Sequence, residues 1–237
     1  GGANYSIPIV VPPGTAGMQP SLSYNSRSGN GLMGVGFSLG GLSVITRCPA
    51  NTVMDGFIDG VDFDGNDRFC IDGQRLIAIS GTYGADDTEY RTEIDGFTKV
   101  VSYGSTGNGP EKFKVWTKSG QVMEYGYSTD SRIEAEGKTD ARLWAVNKIS
   151  DTVGNYLTVT YSEDGTNGTY KPIRIDYTGN GGTLTPYAKV EFEYEVRADV
   201  SPMYFAGSLI KNTERMTNIK TYVDNIFWSD FGSQNAY

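Results

Sequence analysis

Between residues 187 and 197 the chain alternates strictly, with Val190, Phe192, Tyr194 and Val196 on one side and Lys189, Glu191, Glu193, Glu195 and Arg197 on the other. A period of two held this long fits a β-strand with one dry and one wet face, because a helix would wind both residue classes around its axis. The same signature recurs along the chain between turn dipeptides. RFCI (68–71) and QRLIAI (74–79) flank Asp72-Gly73, a pair suited to a two-residue turn with positive φ. KFKVWTK (112–118) and QVMEYGY (121–127) enclose Ser119-Gly120, and segments 90–94 and 98–103 join through Asp95-Gly96. Residues 143–150 and 156–161 flank the turn 151–155, and in 171–177 Ile173, Ile175 and Tyr177 share one face. Residues 216–223 read as the last strand, and 224–237 carry no pattern. No window shows helical apolar spacing over three turns, so no helix is expected. The fold class is therefore all-β, an antiparallel meander of hairpins forming a sandwich or curved wall.

The N-terminal third is organised by glycine. A strand at 5–11 contains Pro8, which lacks an amide donor and so marks an edge strand, and it exits through Pro12-Pro13-Gly14. The run 21–48 then sets one short strand against another with six glycines between Asn25 and Leu42. Repeated glycines there serve chain geometry, since they tolerate positive φ and let backbones approach. With 237 residues and 31 glycines, the chain reads as one all-β domain over 1–223, with room for a subdivision near 104–111, and then an irregular tail over 224–237.

Charge and composition remove several function classes. A net charge of −8 argues against a nucleic-acid partner and an anionic membrane surface, both of which need clustered Lys and Arg. No apolar run approaches the ~18 residues of a membrane span, and the start GGANYS has the form of no leader peptide. Histidine is absent, which excludes Ser-His-Asp and Cys-His nucleophile systems and His-ligated zinc. The two cysteines, Cys48 and Cys70, could pair if their strands lie side by side, or remain as free buried thiols.

Four motifs could carry chemistry. Gly29-Asn30-Gly31-Leu32-Met33-Gly34 matches G-x-G-x-x-G, but the next residues, VGFSLGGLSV, are too glycine-rich for the helix whose N-terminus would meet a pyrophosphate. The acid-rich stretch Asp62-Phe63-Asp64-Gly65-Asn66-Asp67 has the carboxylate density of a calcium loop without its spacing or its twelfth-position glutamate, so a solvated turn held by Asx hydrogen bonds is expected. Glu191, Glu193 and Glu195 form overlapping E-x-E pairs, a spacing that ADP-ribosyltransferases place on one strand face. Lysine and arginine continue the same face here, so a charged outer surface is expected. Exposed Tyr and Trp could stack on sugars, although aromatics at strand spacing usually serve the core. No catalytic, cofactor-binding or metal-binding residue is assigned.

One stretch goes beyond composition. The opening YSIPIVVPPGTAGMQPSLSYNSRSGNGLMGVGFSLGGLSVITRC (5–48), with DRFCIDGQRL at 67–76, closely resembles the SpvB-type N-terminal domain of bacterial virulence proteins and of the B component of insecticidal toxin complexes. The resemblance extends to about Val223, and Asp151-Thr152-Val153-Gly154-Asn155 resembles the D-x-x-G-N turn of Rhs/YD-repeat proteins. What it implies is structural. In such complexes the B component joins a C component in a hollow β-sheet shell around a cytotoxic polypeptide, and a β-propeller docks it on the pore-forming A component. Enzymatic activity in the family lies in a separate C-terminal domain. Phe37 departs from the pattern, standing where the family would carry tryptophan. The family would also continue past residue 237 into propeller or repeats, so these residues alone are not expected to close a shell.

These residues and this resemblance together describe a non-enzymatic, secreted or cell-surface bacterial scaffold domain of a toxin-complex or Rhs-like protein. Its expected partners are other domains or subunits of such a complex, or copies of itself joined by strand addition. The alternatives are a cell-surface adhesin or carbohydrate-binding module and a self-assembling extracellular β-rich subunit.

Overall fold

The structure, a computed structural model, describes residues 2–14, 21–27, 29–94 and 96–232. The first strands are β1 (Asn4–Pro8), β2 (Ser21–Asn25), β3 (Asn30–Gly31), β4 (Gly34–Val35), β5 (Phe37–Gly40) and β6 (Val44–Cys48). A single helical turn, α1 (Thr52–Asp55), precedes β7 (Arg68–Ile71), β8 (Gln74–Ser80), β9 (Glu89–Thr92), β10 (Lys99–Tyr103), β11 (Lys112–Trp116) and β12 (Val122–Tyr125). The remaining strands are β13 (Arg132–Glu134), β14 (Ala141–Ser150), β15 (Asn155–Asp164), β16 (Thr169–Asn180), β17 (Ala188–Val196), β18 (Met203–Phe205), β19 (Ser208–Ile210), β20 (Glu214–Val223) and β21 (Ile226–Gly232).

Local turn chemistry builds the hairpins. Asp72 (φ 47°) and Gly73 (φ 81°) make the two-residue turn between β7 and β8, and the Asp72 carboxylate accepts the Val44 amide and the Ser43 hydroxyl. Asp151 does the same between β14 and β15, accepting the amides of Val153 and Asn155. The β11–β12 loop is wider than the Ser119-Gly120 dipeptide, closing on the Thr117 amide bonded to the Gln121 carbonyl. Strands β9 and β10 pair as expected, while Asp95 of their turn lies outside the described residues.

Strand β14 gives these hairpins their architecture. Its first half pairs with β6, Trp144 opposite Ile45, and its second half pairs with β12, Met123 opposite Ile149. The row β6, β7, β8, β9, β10, β11, β12 thereby returns on β14 as a closed, barrel-like ring of eight antiparallel strands. From the end of β14 an open sheet continues through β15, β16, β17, β20 and β21. Residues 104–111, where the sequence leaves room for a subdivision, are the turn of the β10–β11 hairpin within the ring.

An aromatic cluster fills the ring. Trp144 meets Phe69 and Phe113 edge to face at 5.4 and 5.0 Å, and Phe69 stacks on Tyr83 at 5.6 Å. Such pairs each add roughly 0.5–1.5 kcal/mol beyond the area they bury. The Trp144 indole N–H donates to the Glu111 carbonyl, and Gly126 (φ 71°) passes so close that a Cβ there would lie 2.6 Å from the indole. The open sheet buries Leu157, Val159, Ile175, Val190, Phe192 and Ile219 in a core continuous with that of the ring, and Ile7, Val11 and Leu39 of the N-terminal third pack against this core. That third forms a three-stranded sheet, β1–β2–β5, with the Pro-bearing β1 at its edge as expected.

Five expectations are corrected. The helical turn α1 exists because Asn51 caps it, accepting the Met54 amide, and Gly56 (φ 78°) ends it. Ile173 is only half buried and Pro172 takes the inward place, because a β-bulge opposite Tyr161 inserts one extra residue and reverses the alternation. Val196 is 82% exposed and Arg197 is buried at 4%, since β17 ends at Val196 and the chain turns inward. Phe63 is buried rather than part of a solvated turn. The segment read as an irregular tail contains β21, which pairs with β20 from Val223 opposite Ile226 to Asn218 opposite Gly232; residues 233–237 lie outside the described residues. Its apolar residues are consecutive rather than alternating, so no period of two was visible.

Cys48 and Cys70 form a disulfide, their Cα atoms 6.0 Å apart on the paired strands β6 and β7. It closes a loop whose ends are 22 residues apart, for which loop-closure entropy gives about 3 kcal/mol. The double variant Cys48→Ser/Cys70→Ser is therefore expected to unfold in urea with about 3 kcal/mol less stability than the oxidised protein. It should match the wild-type protein reduced with dithiothreitol.

Candidate functional site

The loop tied off by the disulfide concentrates charge. Asp55, at the end of α1, accepts the Asn51 amide at 2.8 Å and Arg68 Nε at 2.7 Å, and it forms a second ion pair with Arg75. Arg75 also donates to the Pro49 carbonyl at 2.8 Å, and Arg68 lies over the rings of Phe57 and Tyr83. Burial works to raise the Asp55 carboxyl, but the Asn51 amide and the two guanidiniums together hold it below the ordinary aspartate value. Beside this knot a cleft of about 370 Å³ opens against the disulfide, Arg75, Glu93 and Ile94. Two nitrogens of the Arg75 guanidinium are committed to Asp55 and Pro49, while its buried Nε has no hydrogen-bond partner among the described residues.

The acid-rich stretch divides in two. Asp62 and Asp64 behave as solvated turn residues, accepting the amides of Asp64 and Asn66 in Asx turns as expected. Asp59, Asp62 and Asp64 each bring one carboxylate oxygen within 4.8 Å of the others, and among the described residues they are the group that could hold a cation. Asp67 does something else. Its fully buried carboxylate accepts Arg47 at 2.8 Å and the amides of Asp62 and Phe63 at 3.1 and 3.0 Å. Burial pushes this carboxyl up, against the pull of Arg47 and the amides. Arg47 in turn donates to the carbonyls of Ala141 and Asn108 and lies over Phe63 and Trp144. The pair thus joins β6, β14 and two loops at one end of the ring. Sequence reading missed it because Asp67 sits in a run of acids that looks solvated.

The two remaining motifs lie on the outer face of the open sheet and in a short hairpin. Glu191 pairs with Lys189, Glu193 with Lys220, and Glu195 with Arg215, all at 2.6–2.7 Å across the outer face of the open sheet. Lys220, with Asn218, holds the Glu193 carboxyl below its ordinary value. The glycines of G-x-G-x-x-G form a minute hairpin, β3–β4, with Gly34 at φ 96° and no helix after it. Buried Arg197 anchors that hairpin, donating to the Gly31 carbonyl and to Asn30 while pairing with Asp199 at 2.9 Å. Ser28 of the same run lies outside the described residues.

What the charged groups leave unassigned is an apolar surface at the far end of the open sheet. Ile226, Phe227 and Trp228 of β21 are 71, 54 and 46% exposed, and Tyr187 adjoins them through the bond from the Asp224 amide to its carbonyl. Among the described residues no strand pairs with the outer edge of β21. A sheet edge with apolar side chains can add a further strand or pack against another sheet.

Replacing Asp55 tests the charged knot. Asp55→Asn is expected to cost about 2 kcal/mol at neutral pH, the scale of charged hydrogen bonds. Because the folded protein holds this carboxyl below its unfolded value of 3.8, the contribution is present above that pH and is lost as the pH falls through the depressed value. Urea melts of the two proteins should therefore converge in acid.

Comparison with curated proteins gives no match. Among solved structures, the chain is similar to the N-terminal domain of the effector protein SpvB from Salmonella typhimurium strain LT2, with TM-score 0.75 and 16% identity over 92% of this chain and 87% of that one. It is also similar to a chain of TcdB2-TccC3 (TM-score 0.77, 18% identity) and to one of the Photorhabdus luminescens Tc holotoxin pore (TM-score 0.76, 18% identity). Each of these covers 94% of this chain and only 13% of the longer one. The family described as Salmonella virulence plasmid 65kDa B protein, SpvB, matches residues 1–180. The chain belongs to the SpvB family.

Proposed function

We propose that this chain is a non-catalytic scaffold module of a secreted bacterial toxin-complex or Rhs-like protein, lending β-sheet to a larger shell that encloses and delivers a toxic polypeptide. The observation that carries this reading is the open sheet grown from a closed ring and ending on the exposed apolar strand β21. Its similarity over 94% of its length to 13% of far longer chains, one of them in a Tc holotoxin pore, supports the same reading. The disulfide between β6 and β7 fits the oxidising compartments of exported proteins. The ion pairs of Asp55, Asp67 and the three outer glutamates are structural in this account. Partners are neighbouring domains or subunits of the complex, or further copies of the chain, joined at the edges of β21 and β1.

Light scattering on the isolated chain tests this. Self-association at micromolar concentration is expected, with monomer restored in the double variant Ile226→Lys/Trp228→Lys, which places charge on the exposed edge. A wild-type chain that stays monomeric as concentration rises would remove the reading.

A further inference from the structure

One wall of the ring has a charge opposite in sign to that of the chain. Strands β9 to β12, the β11–β12 turn and residues 146–150 of β14 carry Arg91, Lys99, Lys112, Lys114, Lys118 and Lys148 against two carboxylates, Glu89 and Glu124, in a chain of net charge −8. Strand alternation sends Tyr90, Val100, Phe113, Val115 and Ile149 into the ring and so turns the charged side chains of these strands outward.

These cations outnumber their partners. Glu89 is shared by Arg91 and Lys99, at 2.9 and 3.0 Å. Glu124 bonds Lys114 at 3.0 Å, with Lys148 opposite it on β14. Lys112 has Glu111 at 3.7 Å, which Arg132 reaches at the same distance. On the open sheet, by contrast, each outer glutamate has a cation of its own. The lysines of the wall lie beside aromatic rings instead. Lys99 is 5.5 Å from Trp116, Lys112 and Lys114 are 5.1 and 5.5 Å from Tyr127, Lys118 is 4.7 Å from Phe97, and Lys148 is 5.1 Å from Tyr156. Trp116, Val122, Ser150 and Tyr156 are register partners in one row, which sets the two outer rings of that row three strand spacings apart, about 14 Å. Every strand of the wall is paired along both edges, so a ligand meets side chains rather than a free ladder of main-chain groups.

We propose that this wall binds an anionic polysaccharide, its carboxylates on the lysines and the apolar faces of its sugar rings on Trp116 and Tyr156. A charged hydrogen bond to a carboxylate is stronger than an exposed contact between an ammonium and a ring, so a bound carboxylate draws the ammonium aside and leaves the ring face to the sugar. Charge density selects the polymer. The surplus of cations comes to about one per strand, or one per ~4.8 Å of wall. A polymer with one carboxylate on each sugar, or on every second one, matches that spacing. Duplex nucleic acid carries a charge every ~1.7 Å, far more than the wall neutralises, and the chain's net charge of −8 repels it. An acidic polypeptide satisfies the lysines but leaves the aromatic rings without a partner.

Calorimetric titration of the full chain at low salt, with polygalacturonate as the probe and dextran, poly-glutamate and oligothymidylate beside it, tests the site. Polygalacturonate should bind at least about tenfold more tightly than any of the other three, and its binding should weaken as salt shortens the range of the charges. Lys114→Gln/Lys148→Gln should weaken it about tenfold. Trp116→Ala and Tyr156→Ala should each weaken polygalacturonate about fivefold while leaving the response to poly-glutamate unchanged. Tyr156→Ala decides this point if Trp116→Ala does not fold. Absence of polygalacturonate binding, equal binding of dextran, poly-glutamate or oligothymidylate, or full affinity in the double lysine variant overturns the proposal. Full affinity in Tyr156→Ala overturns the stacking on which the choice of a sugar rests.

Discussion

A β-strand has two hydrogen-bonding edges, and β14 uses both of them in each of its halves. Near Trp144 its neighbours are β6 and β13; near Ser150 they are β12 and β15. One edge of the row of hairpins is thereby joined to the other, and the same strand passes the sheet on to β15. A ten-residue strand is long enough to do this because its two ends need not share a partner. The ring's interior then has to be filled, and Trp144, at the middle of β14, fills it in contact with Phe69 and Phe113. Closure removes the exposed edges that a flat row of strands would carry.

Buried arginines complete what the ladders leave open. Arg47 and Arg197 each satisfy main-chain carbonyls at places where strands end and loops cross, and each is neutralised by one aspartate. A guanidinium suits this task because its planar fork of donors reaches several carbonyls at once. Taking it out of water is costly, and removing either partner of the fully buried Arg47–Asp67 pair would leave an uncompensated buried charge, whereas Asp199 is 57% exposed. The two buried arginines are therefore engaged in holding irregular backbone.

Strand content was legible in the sequence because period-two alternation and turn dipeptides are local signals. Asp72-Gly73 gave β7 and β8, and Pro8 gave an edge strand, each through the conformation that one residue permits. Bulges broke the inference where they broke the period, as at Pro172. The run Ile226-Phe227-Trp228 shows no alternation, since both of its faces are partly apolar, and so β21 stayed hidden. Closure by β14 was invisible for a different reason: pairing Ile45 with Trp144 is a non-local choice that no window contains. The outer-face position of the glutamates and the turn at the glycine-rich run were legible from the residues beside them. The Arg47–Asp67 pair depends on tertiary burial, which composition does not encode.

The position of β14 in the chain also fixes an order of events during synthesis. Strands β6 to β12 emerge from the ribosome before residue 141, and each hairpin among them can form locally, but the outer edges of β6 and β12 have no partner until β14 arrives. Contacts so distant in sequence form late and slowly. Until then the nascent chain carries two unpaired edges and an aromatic core open to water, a state in which pairing with a foreign strand competes with pairing to its own. Strand β14 is the keystone of the arch, and a chain interrupted before it would hold the stones in order without the arch.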